Sequence, residues 1–406
     1  MLTKEKNAGI ELLRIVAMLS IMALHVMGQG GVLANVGEGT SSYLAVWLLE
    51  ILCYFGVTAY GLISGFVGID GRYKVTNIIY TWLQVFFYTI IITSLFWLWA
   101  PDLVNGSAFL SAVFPVMTEQ YWYFSAYFGV FFIMPGINYI IKNLDRRFVN
   151  IIAIFLAVVF SICPSIFSTD VFSLKEGYSF AWLAACYFFG AYIRKYSVTE
   201  KISKVKLLAV FILSVGLTYA FKVGLDLTIG KGADRLIAYN SPTILLAAVA
   251  LLGLFAKLNP GRIVKRIALA VGPLTFGVYL SNSQPLVWKY LMKDRFAHLC
   301  EYNTPKMLIC IVLAVLEIFL VGIAVDAVRR LIFELGGLRR KLIGLSDLIM
   351  RRKCPCCQKG RVDKFEVCEV CGWENDPVQA NDPNFKGGAN EDSLNEHRAK
   401  FMENGR

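Results

Sequence analysis

Blocks of about twenty mostly apolar residues recur along the first four fifths of this 406-residue chain. A helix of about twenty residues is long enough to cross the roughly 30 Å hydrocarbon core of a bilayer. The composition agrees, because 57% of the residues are hydrophobic and only 17% are charged, whereas a soluble domain has about 25% charged residues. The blocks therefore predict an all-α polytopic membrane protein.

The apolar runs predict about ten transmembrane helices. Their expected ranges are 9–28, 43–67, 77–99, 121–141, 148–167, 180–194, 207–223, 241–258, 267–288 and 306–328. Because the count is even, both termini should lie on one side of the membrane. Lys and Arg are concentrated in alternate loops, which the positive-inside rule assigns to the cytoplasm. We therefore expect an inner-membrane protein with both termini in the cytoplasm.

The chain divides into three parts by composition. Residues 1–330 form the expected transmembrane domain, 331–353 a basic amphipathic linker suited to anionic lipid headgroups, and 354–406 a soluble tail domain. The formal net charge of +11 would suggest nucleic-acid binding in a soluble protein. Here membrane topology accounts for most of the basic residues, so we expect the bilayer as a partner and no nucleic acid.

The first apolar block carries Arg14 and His25. Eleven helical residues return to within about 20° of the starting direction and rise about 16 Å, so both side chains should lie on one face at different depths. This arrangement suits a site that holds an anion near the cytoplasm and performs acid–base chemistry further out. Alternatively, Arg14 extends to the interface and His25 only hydrogen-bonds a neighbouring helix.

Three further segments accompany this pair: YFGVTAYGLISGF, EQYWYFSAYFGVFFIMP and GPLTFGVYLSNSQPL. Together with the Arg–His spacing, they resemble membrane acyltransferase family 3, the O-acyltransferases of bacterial surface carbohydrates. The resemblance covers roughly residues 7–330. One departure concerns a histidine that family members often have after a Tyr-Leu pair, because this chain has Ser281 and Asn282 there.

The resemblance implies transfer of an acyl group, commonly acetyl, from cytoplasmic acyl-CoA to a hydroxyl of an extracytoplasmic or lipid-linked glycan. At the matching positions, His25 is the expected acid–base residue and Arg14 the expected contact for acyl-CoA. A neutral imidazole suits the task, since a sugar hydroxyl needs a base while it attacks a thioester. A transporter or flippase is the alternative, although paired broken helices would then be expected. A membrane-anchored zinc-domain scaffold or sensor is a third possibility.

Other polar residues are expected near the outer end of the same site. Glu50, in the second block, could orient the imidazole or bind sugar hydroxyls, or it could be a buried structural carboxylate. Trp122 and Tyr123 could contact the acceptor, although an aromatic belt also accounts for them. Asn282 and Gln284 carry amides suited to carbohydrate hydrogen bonds.

On the expected cytoplasmic side, Arg72 and Lys74 could join Arg14 in holding the CoA phosphates through charge-assisted hydrogen bonds. Membrane topology by itself also accounts for Arg72 and Lys74.

The tail contains two CxxC pairs, Cys354 with Cys357 and Cys368 with Cys371. Four thiolates can close the tetrahedral shell of one structural Zn²⁺, so we expect a zinc-ribbon-like fold held by the metal. Cys356 is a fifth thiol, so the ligand set could differ, and redox sensing is the alternative role. A reducing cytoplasm argues against structural disulfides. The segment also resembles the bacterial cysteine-rich CPCC domain, a resemblance that implies no particular chemistry.

Overall fold

The computed structural model describes residues 7–71, 73–167, 169–343 and 351–403. They form two compact units. The first comprises the described residues up to Tyr73 together with Trp82–Arg330, and the second comprises Lys74–Thr81 together with the described residues from Leu331 onward.

The part of the chain up to residue 335 is built from helices. These are α1 (Ala8–Met27), α2 (Val32–Asn35), α3 (Ser41–Cys53), α4 (Phe55–Gly68), α5 (Val75–Trp99), α6 (Gly106–Val113), α7 (Trp122–Asn143), α8 (Arg146–Ala157), α9 (Cys163–Phe167), α10 (Phe180–Lys195), α11 (Lys204–Thr228), α12 (Pro242–Ala256), α13 (Arg262–Val271), α14 (Thr275–Asn282), α15 (Pro285–Val287) and α16 (Thr304–Leu335). Each predicted apolar block coincides with one of these helices or with two or three consecutive ones.

Eight helical segments of the described chain are long and apolar enough to cross a membrane, as expected for a multi-pass membrane protein. The other two predicted spans are shorter, because α10 has 16 residues and α12 has 15. At 1.5 Å per residue they measure about 24 and 23 Å, which is less than the roughly 30 Å of a hydrocarbon core. The expected fold is thus supported for eight of the ten predicted spans.

Polar side chains cap the starts of several helices. Asn7 accepts hydrogen bonds from the amides of Gly9 and Ile10 at the start of α1, at 2.9 and 3.2 Å. Serine hydroxyls do the same for α10, α11 and α12, with Ser179, Ser203 and Ser241 as the capping residues. A capping side chain satisfies an amide that the helix leaves without a partner, and contributes about 0.5–2 kcal/mol.

Helices α4 and α10 pack with their backbones in contact. A Cβ at Gly65 would collide with the carbonyl oxygen of Tyr187, and a Cβ at Gly190 would collide with that of Leu62. In a membrane, such small residues let helices approach closely enough for van der Waals packing to hold them together. Gly65 in the Ser-Gly-Phe sequence at 64–66 therefore has a packing role in addition to being part of the resemblance noted above.

A buried charged network joins α5 to α16, and the sequence analysis did not identify it. The Asp326 carboxylate is fully buried and pairs with Arg329 at 2.8 Å. It also accepts hydrogen bonds from Gln84 at 3.0 Å and from the Tyr88 hydroxyl at 3.1 Å. Because buried charges are costly unless they are paired and hydrogen-bonded, this network fixes the mutual position of these helices.

The second unit contains the tail, whose regular structure is sparse. Strand β1 (Arg352–Lys353) pairs antiparallel with β2 (Arg361–Val362), and short helices follow at Pro377–Asn381 and Leu394–Glu403. The buried core consists of Trp373, Val362, Leu394 and the cysteines. Such a small apolar core calls for a further source of stability. Residues 344–350 of the predicted linker lie outside the described residues.

The glycine contact between α4 and α10 can be tested by substitution. Gly190→Ala should lower thermal stability in detergent, because overpacking a close contact costs about 1–3 kcal/mol. Gly216→Ala is the matched control, since it lies in α11 and a Cβ there would meet nothing within 4 Å. The measurement is thermal unfolding followed by size-exclusion chromatography with fluorescence detection. Equal midpoints for the two variants would contradict the proposed contact.

Candidate functional site

A cavity of about 750 Å³ lies within the first unit. Its walls come from α1, the end of α3, α4, the start of α7 and α14, together with segments around residues 118–121, 178, 239 and 283–288. Its volume falls in the range of roughly 300–1,000 Å³ that is usual for small-molecule sites.

One face of α1 forms part of the cavity wall. Met18, Ile21, His25 and Gly28 line the cavity, and their intervals of three or four residues are those of a single helix face. Arg14 lies four residues before Met18, on the same face but outside the cavity lining.

His25 is held in a defined orientation by Asn282. Its Nδ1 lies 2.6 Å from the amide oxygen Oδ1 of Asn282. Because this oxygen can only accept, Nδ1 carries the hydrogen in the neutral imidazole and donates it, leaving a lone pair on Nε2. The Trp288 ring meets the imidazole edge-on, with centroids 4.7 Å apart. The arrangement is that of a base whose tautomer is set by its neighbour.

Arg14 forms an ion pair with Glu11, one helical turn earlier, at 3.0 Å. The Glu11 side chain is almost fully buried, whereas 26% of the Arg14 side chain is exposed. Among the described residues only Nη1 of Arg14 contacts Glu11, so the donors on Nε and Nη2 remain for a ligand. The sequence analysis assigned no partner to Arg14, although the i, i+3 spacing of Glu11 was the available signal.

Glu50 at the end of α3 lies in the cavity wall and is only 6% exposed. Its Oε2 is buried and has no hydrogen-bond partner among the described residues. The partner found for Nδ1 of His25 is Asn282 rather than Glu50.

Ten aromatic side chains line the cavity: Tyr54, Tyr60, Tyr121, Trp122, Tyr123, Tyr178, Tyr239, Phe276, Tyr279 and Trp288. Four of them are called the aromatic cluster below, because Tyr239 has ring contacts with Tyr54, Trp122 and Tyr178. Sequence reasoning selected Trp122 and Tyr123 but missed Tyr178 and Tyr239. The available signal was that both lie close to a serine that caps a helix: Tyr178 directly precedes Ser179, and Tyr239 lies two residues before Ser241.

The other candidate residues have different surroundings. Asn282 is 4% exposed and contacts His25 rather than the open cavity. Gln284 is 1% exposed, and its Oε1 accepts hydrogen bonds from the amides of Leu286 and Val287 at the start of α15. Lys74 is exposed just before α5 in the second unit. Arg72 lies outside the described residues.

In the tail, Cys354, Cys357, Cys368 and Cys371 converge. Their sulfurs all lie within 4.8 Å of one another and could hold a metal ion. The Sγ atoms of Cys354 and Cys371 are 3.6 Å apart, and those of Cys357 and Cys368 are 3.7 Å apart. Four sulfurs bound tetrahedrally at about 2.3 Å would be separated by about 3.8 Å. The observed separations fit this geometry.

The surroundings of the four thiols affect their ionisation unequally. Burial raises the pKa of Cys371 to about 12. Burial also opposes ionisation of Cys357, but the amides of Gly360 and Lys359 and the neighbouring thiols outweigh it and lower the pKa of Cys357 to about 7. A bound cation would favour the thiolate form of all four.

Cys356 lies beside this group without being one of the four. Its sulfur is close to Cys371 and His397, with which it forms an alternative set of three ligands. His397 Nε2 also lies 2.9 Å from the carbonyl oxygen of Cys371. The set of four cysteines is more complete, because it can close a tetrahedral shell without another ligand.

Comparison with known proteins identifies both parts of the chain. A family model described as an acyltransferase domain matches residues 7–325, and a model described as cysteine-rich CPCC matches residues 352–406. These matches confirm both resemblances noted in the sequence. No curated protein and no solved structure matches the chain. Since the first match covers most of the sequence, the chain belongs to this membrane acyltransferase family and ends in a cysteine-rich CPCC domain.

Proposed function

We propose that the protein transfers an acyl group, in the first instance acetyl, from cytoplasmic acyl-CoA to a hydroxyl of a cell-envelope carbohydrate. The observation that carries this proposal is His25, which lines a cavity of about 750 Å³ and whose Nδ1 lies against Oδ1 of Asn282, so that Nε2 would accept the proton. Membership of the acyltransferase family supports the class of reaction. The protein would act in the bacterial inner membrane, with both termini in the cytoplasm.

The proposed chemistry is a direct transfer. The acceptor oxygen attacks the thioester carbonyl while Nε2 of His25 takes the hydroxyl proton. The C–S bond then breaks, and the CoA thiolate leaves and is protonated. Asn282 keeps Nδ1 of the imidazole protonated and the ring fixed, so it acts as a positioning residue.

The donor and acceptor would contact different parts of the site. Arg14, whose Nε and Nη2 have no hydrogen-bond partner among the described residues, would bind the acyl-CoA end. Arg72 and Lys74 stay candidates for the CoA phosphates. Trp122 and Tyr123 line the cavity, where their rings would contact the acceptor. The side-chain oxygen of Gln284 is already occupied as a helix cap, so its predicted role in carbohydrate binding has less support.

For the tail, we propose that Cys354, Cys357, Cys368 and Cys371 bind one structural Zn²⁺. The supporting observation is the separation of paired sulfurs, 3.6 and 3.7 Å. With four sulfur ligands the shell would be closed, so the binding free energy would stabilise the tail.

His25→Ala should reduce acyl transfer by at least about 100-fold while the protein stays folded, because the general base would be lost. Asn282→Leu, which keeps the imidazole but removes its acceptor, should cause a smaller loss. Transfer of labelled acetyl from acetyl-CoA to glycan by purified protein is the measurement. His298→Ala is the matched control, since His298 lies outside the cavity lining. Near-normal turnover of His25→Ala would refute the assignment.

Arg14→Ala should raise the KM for acyl-CoA by about tenfold or more, since a charge-assisted hydrogen bond contributes about 1.5–3 kcal/mol. It should also destabilise the protein, because it leaves the buried Glu11 carboxylate without its cation. The double variant Glu11→Gln with Arg14→Ala separates the two effects. Thermal stability should recover in this variant while the donor KM stays high. If the thermal stability and the KM for acyl-CoA both returned to their wild-type values, Arg14 would have a purely structural role.

Changing Cys354 and Cys368 to Ser should release about one zinc per chain and make residues 354–406 protease-sensitive. Elemental analysis and limited proteolysis measure the two effects, with Cys356→Ser as the matched control that keeps its metal. Acyl transfer should largely survive the loss of zinc. Intact protein without zinc would exclude the proposed metal site, and loss of transfer with the membrane domain still folded would assign the tail a part in catalysis.

A further inference from the structure

The cavity is rich in carboxylate and aromatic groups but poor in cationic ones. Glu50 and Glu119 belong to its lining, and none of the described lining residues is Lys or Arg. A cationic ligand group would find carboxyl partners here, whereas an anionic group would find no Lys or Arg among the described lining residues. Glu50 is the more informative carboxylate, because its buried Oε2 has no hydrogen-bond partner among the described residues. Such a group requires a partner, and a ligand in the cavity can provide one.

The aromatic cluster lies beside this carboxylate. Ring centroids are 4.7 Å apart for Trp122 and Tyr178, 4.9 Å for Tyr178 and Tyr239, and 5.0 Å for Tyr54 and Tyr239. Glu50 and the four rings line the same cavity, and Glu50 lies one helical turn before Tyr54. Tyr178 is 41% exposed and Tyr239 only 6%, so the cluster extends from an accessible ring to a buried one.

The cluster is held in place before any ligand binds. The amide of Tyr239 donates to the carbonyl oxygen of Glu176 at 2.9 Å, and its own carbonyl oxygen accepts from the Thr58 hydroxyl at 2.8 Å. These bonds tie the segment that carries Tyr239 to the segment before α10 and to α4. A preorganised site loses less entropy when the ligand binds.

We propose that Glu50 and the aromatic cluster bind an organic ammonium group of the acceptor, the protonated amine of an amino sugar or a methylated ammonium. Ring faces attract a cation within about 6 Å of their centroids, and the carboxylate neutralises its charge. A neutral sugar could stack on the same rings and donate a hydroxyl to Glu50, but it would gain no attraction between opposite charges. The proposal specifies the chemical class of the acceptor. That the bound molecule is then acylated rests on the proposed function.

The test is equilibrium binding of radiolabelled choline to the full-length protein in detergent, measured by scintillation proximity. Competitors are 3,3-dimethylbutan-1-ol, in which carbon replaces the nitrogen of choline, and the pair glucosamine and glucose. Choline and glucosamine should each bind at least about tenfold more tightly than the neutral counterpart. Equal affinity within both pairs, or no saturable choline binding, would overturn the proposal.

Two variants with a matched control locate the site. Glu50→Gln, which keeps the shape and removes the charge, should weaken choline binding by about tenfold. Glu119→Gln removes the other cavity carboxylate and should change the affinity for choline by less than about threefold. If Glu50→Gln does not fold, Tyr178→Leu at the exposed ring should weaken choline relative to its neutral isostere. Unchanged selectivity for choline over its neutral isostere in the Glu50 or Tyr178 variant would refute the site. Equal losses of choline affinity in Glu50→Gln and Glu119→Gln would also refute it.

Binding and acyl transfer fail independently in this design. The binding assay contains no acyl-CoA, so absence of ammonium selectivity refutes the site and leaves the transfer assay unaffected. Selective binding without transfer from labelled acetyl-CoA to any glycan would instead refute the proposed function while keeping the cation site.

Discussion

A charged or strongly polar side chain has no partner in lipid, so each one on a buried membrane helix needs a partner within the protein. Helix α1 shows how far this requirement shapes the first unit. Of the eight candidate membrane segments of the described chain, the one that contains α1 has the largest share of buried residues, 72% of its most apolar stretch. Glu11 is paired with Arg14, and His25 is bonded to Asn282. Through His25, α1 is tied to the end of α14, and the position of the candidate base depends on that bond.

Among the described buried carboxylates of this unit, Glu50 is the one that lacks such a partner. Its buried Oε2 has no partner among the described residues, and it lies in the wall of the cavity that also contains His25. By contrast, Asp326 is also buried but has Arg329, Gln84 and Tyr88 around it, so the energetic cost of its burial is compensated within the protein. A carboxylate left without such compensation beside an accessible cavity is a natural place for a ligand.

The tail depends on a different constraint, because its apolar core is too small to define a fold by itself. Trp373 and Leu394 pack against the four cysteines, so metal ligands and hydrophobic core are the same cluster. Metal binding would then complete the core as well as the coordination shell. The apolar blocks of the transmembrane domain obtain their stability from helix packing instead, as at Gly65 and Gly190.

Periodicity and spacing in the sequence determined the helical membrane class, the helix-one face shared by Arg14 and His25, and the four converging cysteines. The acyltransferase family was indicated by the resemblance of several segments to known members. These features depend on local geometry or on short motifs, which neighbours along the chain define. Only the tertiary structure decided which groups become partners across long separations. Asn282 contacts His25 over 257 residues, and Tyr54, Tyr178 and Tyr239 come from three separate segments. No periodicity in the sequence predicts such long-range contacts, because they follow from how the helices pack against one another.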